Sequence, residues 1–251
     1  MTGDVVIRAS IAPMHAEAGA SSAQISQRLA GHVVTVLATV NDWLHVRGED
    51  GYEGWMHSGY VMPAADDRLT SAERRLSLGC VVRGPAGAKA LPLAAWILGS
   101  DSIVSGDALK AGARARAFPL DAAAIGATAV DRFSGTPYQW GGVSPWGADC
   151  SGLVQTVFWL HGVSLPRDAW QQAEVGREVG ADVSKLQPAD LLFFSDRADR
   201  RVTHVGIALG RGRMVHLALG RGGHAVERLE STDDAYVTAL MARFLCARRV
   251  I

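Results

Sequence analysis

Apolar and polar positions alternate with a period near two over much of the first half of the chain, and a helical period enters only past residue 120. Val33 to Val40 is rich in β-branched residues, and Trp43-Leu-His-Val-Arg47 alternates apolar with polar, as a strand with one buried face does. Glu49-Asp-Gly-Tyr52 reads as the turn leading into Gly54-Trp-Met56. Residues 1–63 are therefore expected to form a small β unit, with Trp43 and Trp55 in its core. The short polar stretch Ala64-Ala-Asp-Asp-Arg68 is a candidate linker. Beyond it, residues 78–83, 90–93 and 113–118 read as strands, with turns at Gly84-Pro85 and Gly99-Ser-Asp101, so 64–120 is expected to be a second, divergent β-barrel.

Residues 121–251 read as a third domain. Ile125, Ala129 and Phe133 are four apart, which predicts a helix with Asp121 as its N-cap. Residues 150–160 read as a second helix, apolar at Leu153, Val154, Val157, Phe158 and Leu160. Strands are expected at 190–194, 202–209, 213–216, 225–229 and 240–248. Helices followed by a run of strands is an α+β order.

Composition narrows the function. Formal net charge is zero, so nucleic acid, which requires a basic surplus, is not an expected partner. Arg197, Arg200 and Arg201 read as a solvated loop. No segment is apolar and long enough to span a bilayer, and Met1-Thr2-Gly3-Asp4 lacks the basic start and apolar run of a secretory leader, so the expected location is the cytoplasm. Of the three cysteines, Cys80 and Cys246 lie in apolar runs and read as small core residues, whereas Cys150 lies in the polar, glycine-flanked turn Gly147-Ala-Asp-Cys-Ser-Gly152.

Cysteine attacks an amide as the thiolate, and a thiol with a pKa of about 8.5 is scarcely ionised at neutral pH. A helix start offers unpaired N–H groups and a partial positive charge, and Cys150 stands where the turn enters the helix. His204, opening the apolar run Val202-Thr-His-Val-Gly-Ile207, is the candidate base. His216, on the next strand, is the candidate orienter, brought alongside by a tight turn at Gly210-Arg-Gly212. A packing role for these residues, or a zinc site, is the competing reading, although the three lack a close ligand pair.

Four segments carry a family resemblance: Thr136-Pro-Tyr-Gln-Trp-Gly-Gly142, Asp149-Cys-Ser-Gly-Leu-Val154, Leu186-Gln-Pro-Ala-Asp-Leu-Leu-Phe-Phe194 and Thr203-His-Val-Gly-Ile207. They resemble the motifs of the NlpC-type cell-wall cysteine peptidases, in the family's order, over residues 125–248. The resemblance implies an α+β, papain-like core, with the cysteine on a helix packed against an antiparallel sheet bearing both histidines. Two departures stand out: Ala189 where glycine is usual, and Ala208 where tyrosine is common. Trp43…Asp50-Gly-Tyr-Glu-Gly-Trp55…Tyr60-Val61 resembles a bacterial Src-homology-3-like barrel.

Two such barrels ahead of the core resemble the γ-D-glutamyl-L-diamino acid endopeptidases, which act on peptides beginning L-Ala-γ-D-Glu and cut after the D-Glu. The implied substrate-site residues are Tyr138, Asp149, Ser151 and Asp168, with Tyr52, Glu53 and Tyr60 of the first barrel as candidates for a wall closing the groove. Asp168 would pair with the free ammonium of L-Ala, or cap the helix beginning Ala169-Trp-Gln-Gln, or both. Asp149 reads equally as an N-cap, and Tyr138 either donates to an oxyanion or packs. The expected activity is hydrolysis of cell-wall stem peptides during recycling, with no metal or organic cofactor. An exported endopeptidase acting on intact peptidoglycan and a non-catalytic wall-binding module are the rival readings.

Overall fold

Seven strands account for the first sixty residues: β1 Gly3–Ile7, β2 Ile11–His15, β3 Gln24–Leu29, β4 Val33–Val40, β5 Trp43–Gly48, β6 Glu53–His57 and β7 Val61–Pro63. They form one antiparallel sheet in the order β3-β2-β6-β5-β4-β1-β7. The computed structural model describes residues 3–64, 74–85, 87–99, 101–180 and 182–251. The linker expected at Ala64–Arg68 lies, apart from Ala64, outside the described residues. The chain divides into two compact units, Met1–Ala117 and Phe118–Ile251.

Strand alternation decides what the first unit buries. Val5, Ile7, Met14, Val34, Val36, Leu44, Val46 and Met56 fill its core. Trp43 and Trp55 correct the sequence reading. They flank Leu44 and Met56 on the opposite face, because side chains one residue apart in a strand point to opposite sides. There Trp43 meets His15 and His57 edge-on, and Trp55 lies on His45.

The same unit holds a four-stranded antiparallel sheet of β8 Arg75–Gly84, β9 Gly87–Leu91, β10 Trp96–Ile97 and β11 Ser102–Lys110, all but β9 in the order β10-β8-β11, with β9 also on β8. The strand expected at 113–118 is instead helical, with α1 at Arg114–Ala117. Alternating Arg and Ala imitates a strand's period, but both residues favour helix and neither is buried here. The strand lies earlier, at β11, where two register shifts interrupt the alternation that would have revealed it.

The second unit begins with α2 Ala122–Arg132, capped by the Asp121 carboxylate, which accepts the Ala124 N–H at 2.9 Å as expected. Two short paired strands follow, β12 Val143–Ser144 and β13 Gly147–Ala148, and then α3 Cys150–Leu160 and the single turn α4 Ala169–Gln172. The remaining strands are β14 Arg177–Gly180, β15 Leu191–Phe194, β16 His204–Gly210, β17 Arg213–Ala218, β18 Gly223–Arg228 and, after α5 Ala235–Met241, β19 Phe244–Arg249. They form an antiparallel sheet in the order β14-β19-β15-β16-β17-β18. Leu240, read as strand, belongs to α5, where Asp234 caps a helix that the apolar run concealed.

Two sheet features position the site. Arg211 and Gly212 both have positive φ, the geometry of a tight hairpin, and they join β16 to β17 at the expected turn. α3 is buried along nearly its whole length and packs on β16 and β17 at the centre of the sheet.

Candidate active site

Cys150 is the first residue of α3, and Asp149 is its N-cap. Gly152 allows the helix start to approach the preceding loop. A Cβ there would overlap the Gly142 carbonyl oxygen, so the Cys-Ser-Gly order is a steric requirement. The backbone N–H groups of Val205, on β16, and of Ser151, at its own helix start, lie near enough to the Cys150 sulfur to favour its anionic form. The thiol thus lies near the strand residue next to His204.

The two histidines meet as the hairpin register requires. Val215 pairs with Ile207, and His204 Nε2 lies 2.8 Å from His216 Nδ1. His216 is fully buried, while His204 keeps some solvent contact. Behind them, His216 Nε2 lies 3.3 Å from Glu227 Oε1 on β18. The sequence reading missed Glu227. Its signal is register: His216 pairs with Ala225, which sets Glu227 two residues along on the same face.

Arg167 was also missed, and it is the largest fully buried side chain among the described residues. Its Nη1 donates to Asp149 Oδ1 at 3.1 Å and to Ser151 Oγ at 2.9 Å, and its Nη2 donates to Asp149 Oδ2 at 2.7 Å. Asp149 also accepts the N–H groups of Gly141 and Gly152 and the Ser151 hydroxyl. Both its oxygens are therefore engaged inside the protein, which is the capping alternative for Asp149. Ser151 is likewise tied into this cluster and buried.

Asp168, the next residue, is partly exposed at the N-cap of α4, with its backbone N–H directed to Gln171 Oε1. Capping and a role towards substrate are compatible there. Tyr138 sits within electrostatic reach of Cys150 and Asp149, and burial first, then these two neighbours, raises its phenol, which stays a donor at neutral pH. In the first unit, Glu53 pairs with Arg47 at 2.7 Å, while Tyr60 and Tyr52 pack on the barrel core. Their place in a substrate groove rests on the resemblance alone.

Burial sets the protonation of the pair. It pushes the Cys150 thiol up to about 12, and Asp149 adds to the rise against the two N–H bonds to the sulfur. Burial, then the neighbouring His216, lowers His204 to about 3. The sequence reading expects a thiolate held by the helix start. Burial opposes the helix start and drives the two groups towards thiol and neutral imidazole, with the proton moving as the sulfur attacks. Among the described residues, no group of three or more His, Cys, Asp or Glu side chains is arranged to hold a metal ion.

A cysteine at the start of a helix that packs on the strands bearing two hydrogen-bonded histidines has a counterpart among known families. A model of the NlpC/P60 family matches residues 135–243, which hold Cys150, His204 and His216. Residues 135–243 thus correspond to an NlpC/P60 domain. A bacterial SH3 domain model matches residues 12–62, which run from β2 to β7 of the seven-stranded sheet. A γ-D-glutamyl-L-lysine dipeptidyl-peptidase of Bacillus subtilis (strain 168) is 38% identical over 45% of this chain and 38% of its own length. One of the same name from Bacillus cereus (strain ATCC 10987 / NRS 248) is 29% identical over 84% of this chain and 72% of its own. The crystal structure of an NlpC/P60 family protein from Bacillus cereus ATCC 10987 superposes with a TM-score of 0.76 at 20% identity, covering 99% of each chain. That likeness establishes the papain-like fold of the NlpC/P60 domain.

The departure noted at Ala189 has a geometric meaning within this domain. Ala189 has φ of 68°, the left-handed region that favours glycine, so the NlpC/P60 preference for glycine there is a backbone preference.

Proposed function

We propose that this chain hydrolyses the γ-D-glutamyl-L-diamino acid bond of cell-wall stem peptides that carry a free N-terminal L-Ala, in the recovery of such peptides in the cytoplasm. The observation that carries the reading is Cys150 at the start of a helix that packs on β16, the strand whose first residue is a histidine already paired to a second histidine. The names of the two Bacillus relatives support the bond class, and a partly exposed Asp168 beside the buried Arg167–Asp149 pair supports an ammonium partner.

The chemistry runs through two transfers. His204 takes the thiol proton as the sulfur bonds to the γ-carbonyl carbon of D-Glu, and the oxygen of that carbonyl becomes an oxyanion. The Cys150 backbone N–H and Tyr138 hydroxyl are the donors proposed for it. The intermediate collapses as the C–N bond breaks, and His204 gives its proton to the departing amine. Water, deprotonated by His204, then cleaves the thioester and restores the thiol.

Incubation with L-Ala-γ-D-Glu-diaminopimelate, and with its Lys counterpart, is expected to release the free diamino acid. Acetylating the L-Ala amine is expected to abolish cleavage, and Cys150→Ala to remove all product. Release of the diamino acid by the Cys150→Ala variant, or equal cleavage of the acetylated peptide, would refute the assignment. Equal cleavage would also favour an enzyme of the intact wall.

A further inference from the structure

We infer that Glu227 is a positioning residue: as a buried carboxylate on His216 it fixes the tautomer of both histidines and leaves His204 Nδ1 as the bare nitrogen that takes the proton from Cys150. The inference rests on the peptidase reading of this site and deepens it.

The argument is one of donors and acceptors. Glu227 is 5% exposed, and a carboxylate removed from water must be paired. Arg221 holds it in a fork, with Nε on Oε1 at 2.7 Å and Nη2 on Oε2 at 2.9 Å. Arg221 is itself fixed by Asp234 and lies over the Tyr236 ring at 4.3 Å. So held, Glu227 is an acceptor only, and a His216 ring with a single proton must carry it on Nε2, facing that carboxylate. His216 Nδ1 is then a lone pair, so the 2.8 Å contact requires His204 Nε2 to be the donor. His204 Nδ1 is thereby left without a proton.

The alternative arrangement would put a proton on His204 Nδ1 and make the ring useless as a base towards the sulfur. The cluster also carries charge. Glu227 and Asp234 against Arg221 leave one net negative charge behind the histidines, which favours the imidazolium that forms as Cys150 loses its proton. The other titratable groups facing His216 are His204 on β16, His224 on β18 and Tyr236 on α5. His224 Nε2 lies 3.2 Å from the Ala129 carbonyl, turned to α2. The buried residues of α2 and α3, which also pack on β17, include no charged side chain, and Cys150 is the titratable group among them.

The test is nitrogen NMR of the full chain labelled in histidine, with His204 and His216 assigned by single His→Gln variants. In the unsubstituted chain both rings are expected as the Nε2–H tautomer. Glu227→Gln places an amide donor against His216 or against Arg221, and is expected to move His216 towards the Nδ1–H form. With the stem peptide it is expected to lower kcat by about 10- to 100-fold while KM stays within about twofold, because the ground-state contacts are untouched. Glu227→Asp keeps the charge and is expected to restore the Nε2–H signature.

His204 found as Nδ1–H in the unsubstituted chain would overturn the inference, even if Glu227→Gln failed to fold. So would a folded Glu227→Gln variant with both rings unchanged. The ring signals need no substrate. A chain that cleaves no stem peptide would sink the proposed function, while the ring signals would still decide whether Glu227 fixes the two tautomers.

Discussion

Arg167→Met tests whether the start of α3 is held by a buried ion pair. The substitution keeps an unbranched side chain of similar length and removes the guanidinium. Asp149 then stays 5% exposed as a carboxylate, with only the N–H groups of Gly141 and Gly152 and the Ser151 hydroxyl to stabilise it. Two charge-assisted bonds to Asp149 are lost, together with one to Ser151 Oγ. Removing one partner of a buried pair costs about 3–5 kcal/mol, because the other charge is left uncompensated. Urea unfolding followed by tryptophan fluorescence is the assay, read with Asp149→Asn and the double variant. The double variant is expected to lose about 1–3 kcal/mol less than the two single losses together, since neither charge remains to be stranded. A loss under about 1 kcal/mol for Arg167→Met, or simple additivity in the double variant, would show that the pair is not what holds the helix start.

Three further outcomes follow from the same geometry. Alkylation of Cys150 by iodoacetamide, followed at its own peptide by mass spectrometry, is expected to rise about tenfold per pH unit from neutrality to pH 10 without a plateau, because a thiol raised towards 12 yields thiolate only as pH climbs; a plateau reached below pH 7 would instead reveal a standing thiolate–imidazolium pair. Ala189→Gly is expected to stabilise the second unit by about 0.5–1 kcal/mol, the left-handed penalty outweighing glycine's extra unfolded freedom, and a lower melting temperature would contradict it. Gly152→Ala is expected to abolish activity and lower the melting temperature, since its Cβ meets the Gly142 carbonyl and cannot turn aside; an active, fully stable variant would show that the loop yields.

Much of the catalytic unit was legible because its elements obey local rules. α3 begins at Cys150, where polar turn gives way to apolar helix, and the Gly210–Gly212 turn announced the hairpin that joins the histidines. Arg167 was not legible. Nothing in Pro166-Arg-Asp168 marks a fully buried arginine, because its burial depends on a carboxylate eighteen residues away that is itself capping another helix. Glu227 needed the pairing of β17 with β18, a register that a chain pattern suggests only once both strands are known. The error at 113–118 had a different source: a two-residue alternation of Arg and Ala satisfies the strand template by period while both residues favour helix.

The protonation of Cys150 shows why motif and chemistry must be weighed separately. The helix start offers the sulfur the Ser151 N–H, yet the same packing that brings up the Val205 N–H also strips the thiol of water. Burial acts on the base in the opposite direction, so each partner is driven towards its neutral form and neither gains by ionising alone. What makes the transfer possible is concerted movement into a ring whose far side is already committed. His204 donates to His216, His216 donates to Glu227, and Glu227 is pinned by Arg221. With one net negative charge behind the histidines, the imidazolium is favoured as the sulfur meets an electrophile. A thiol kept in its neutral form is also protected from adventitious alkylation and oxidation, both of which require the thiolate.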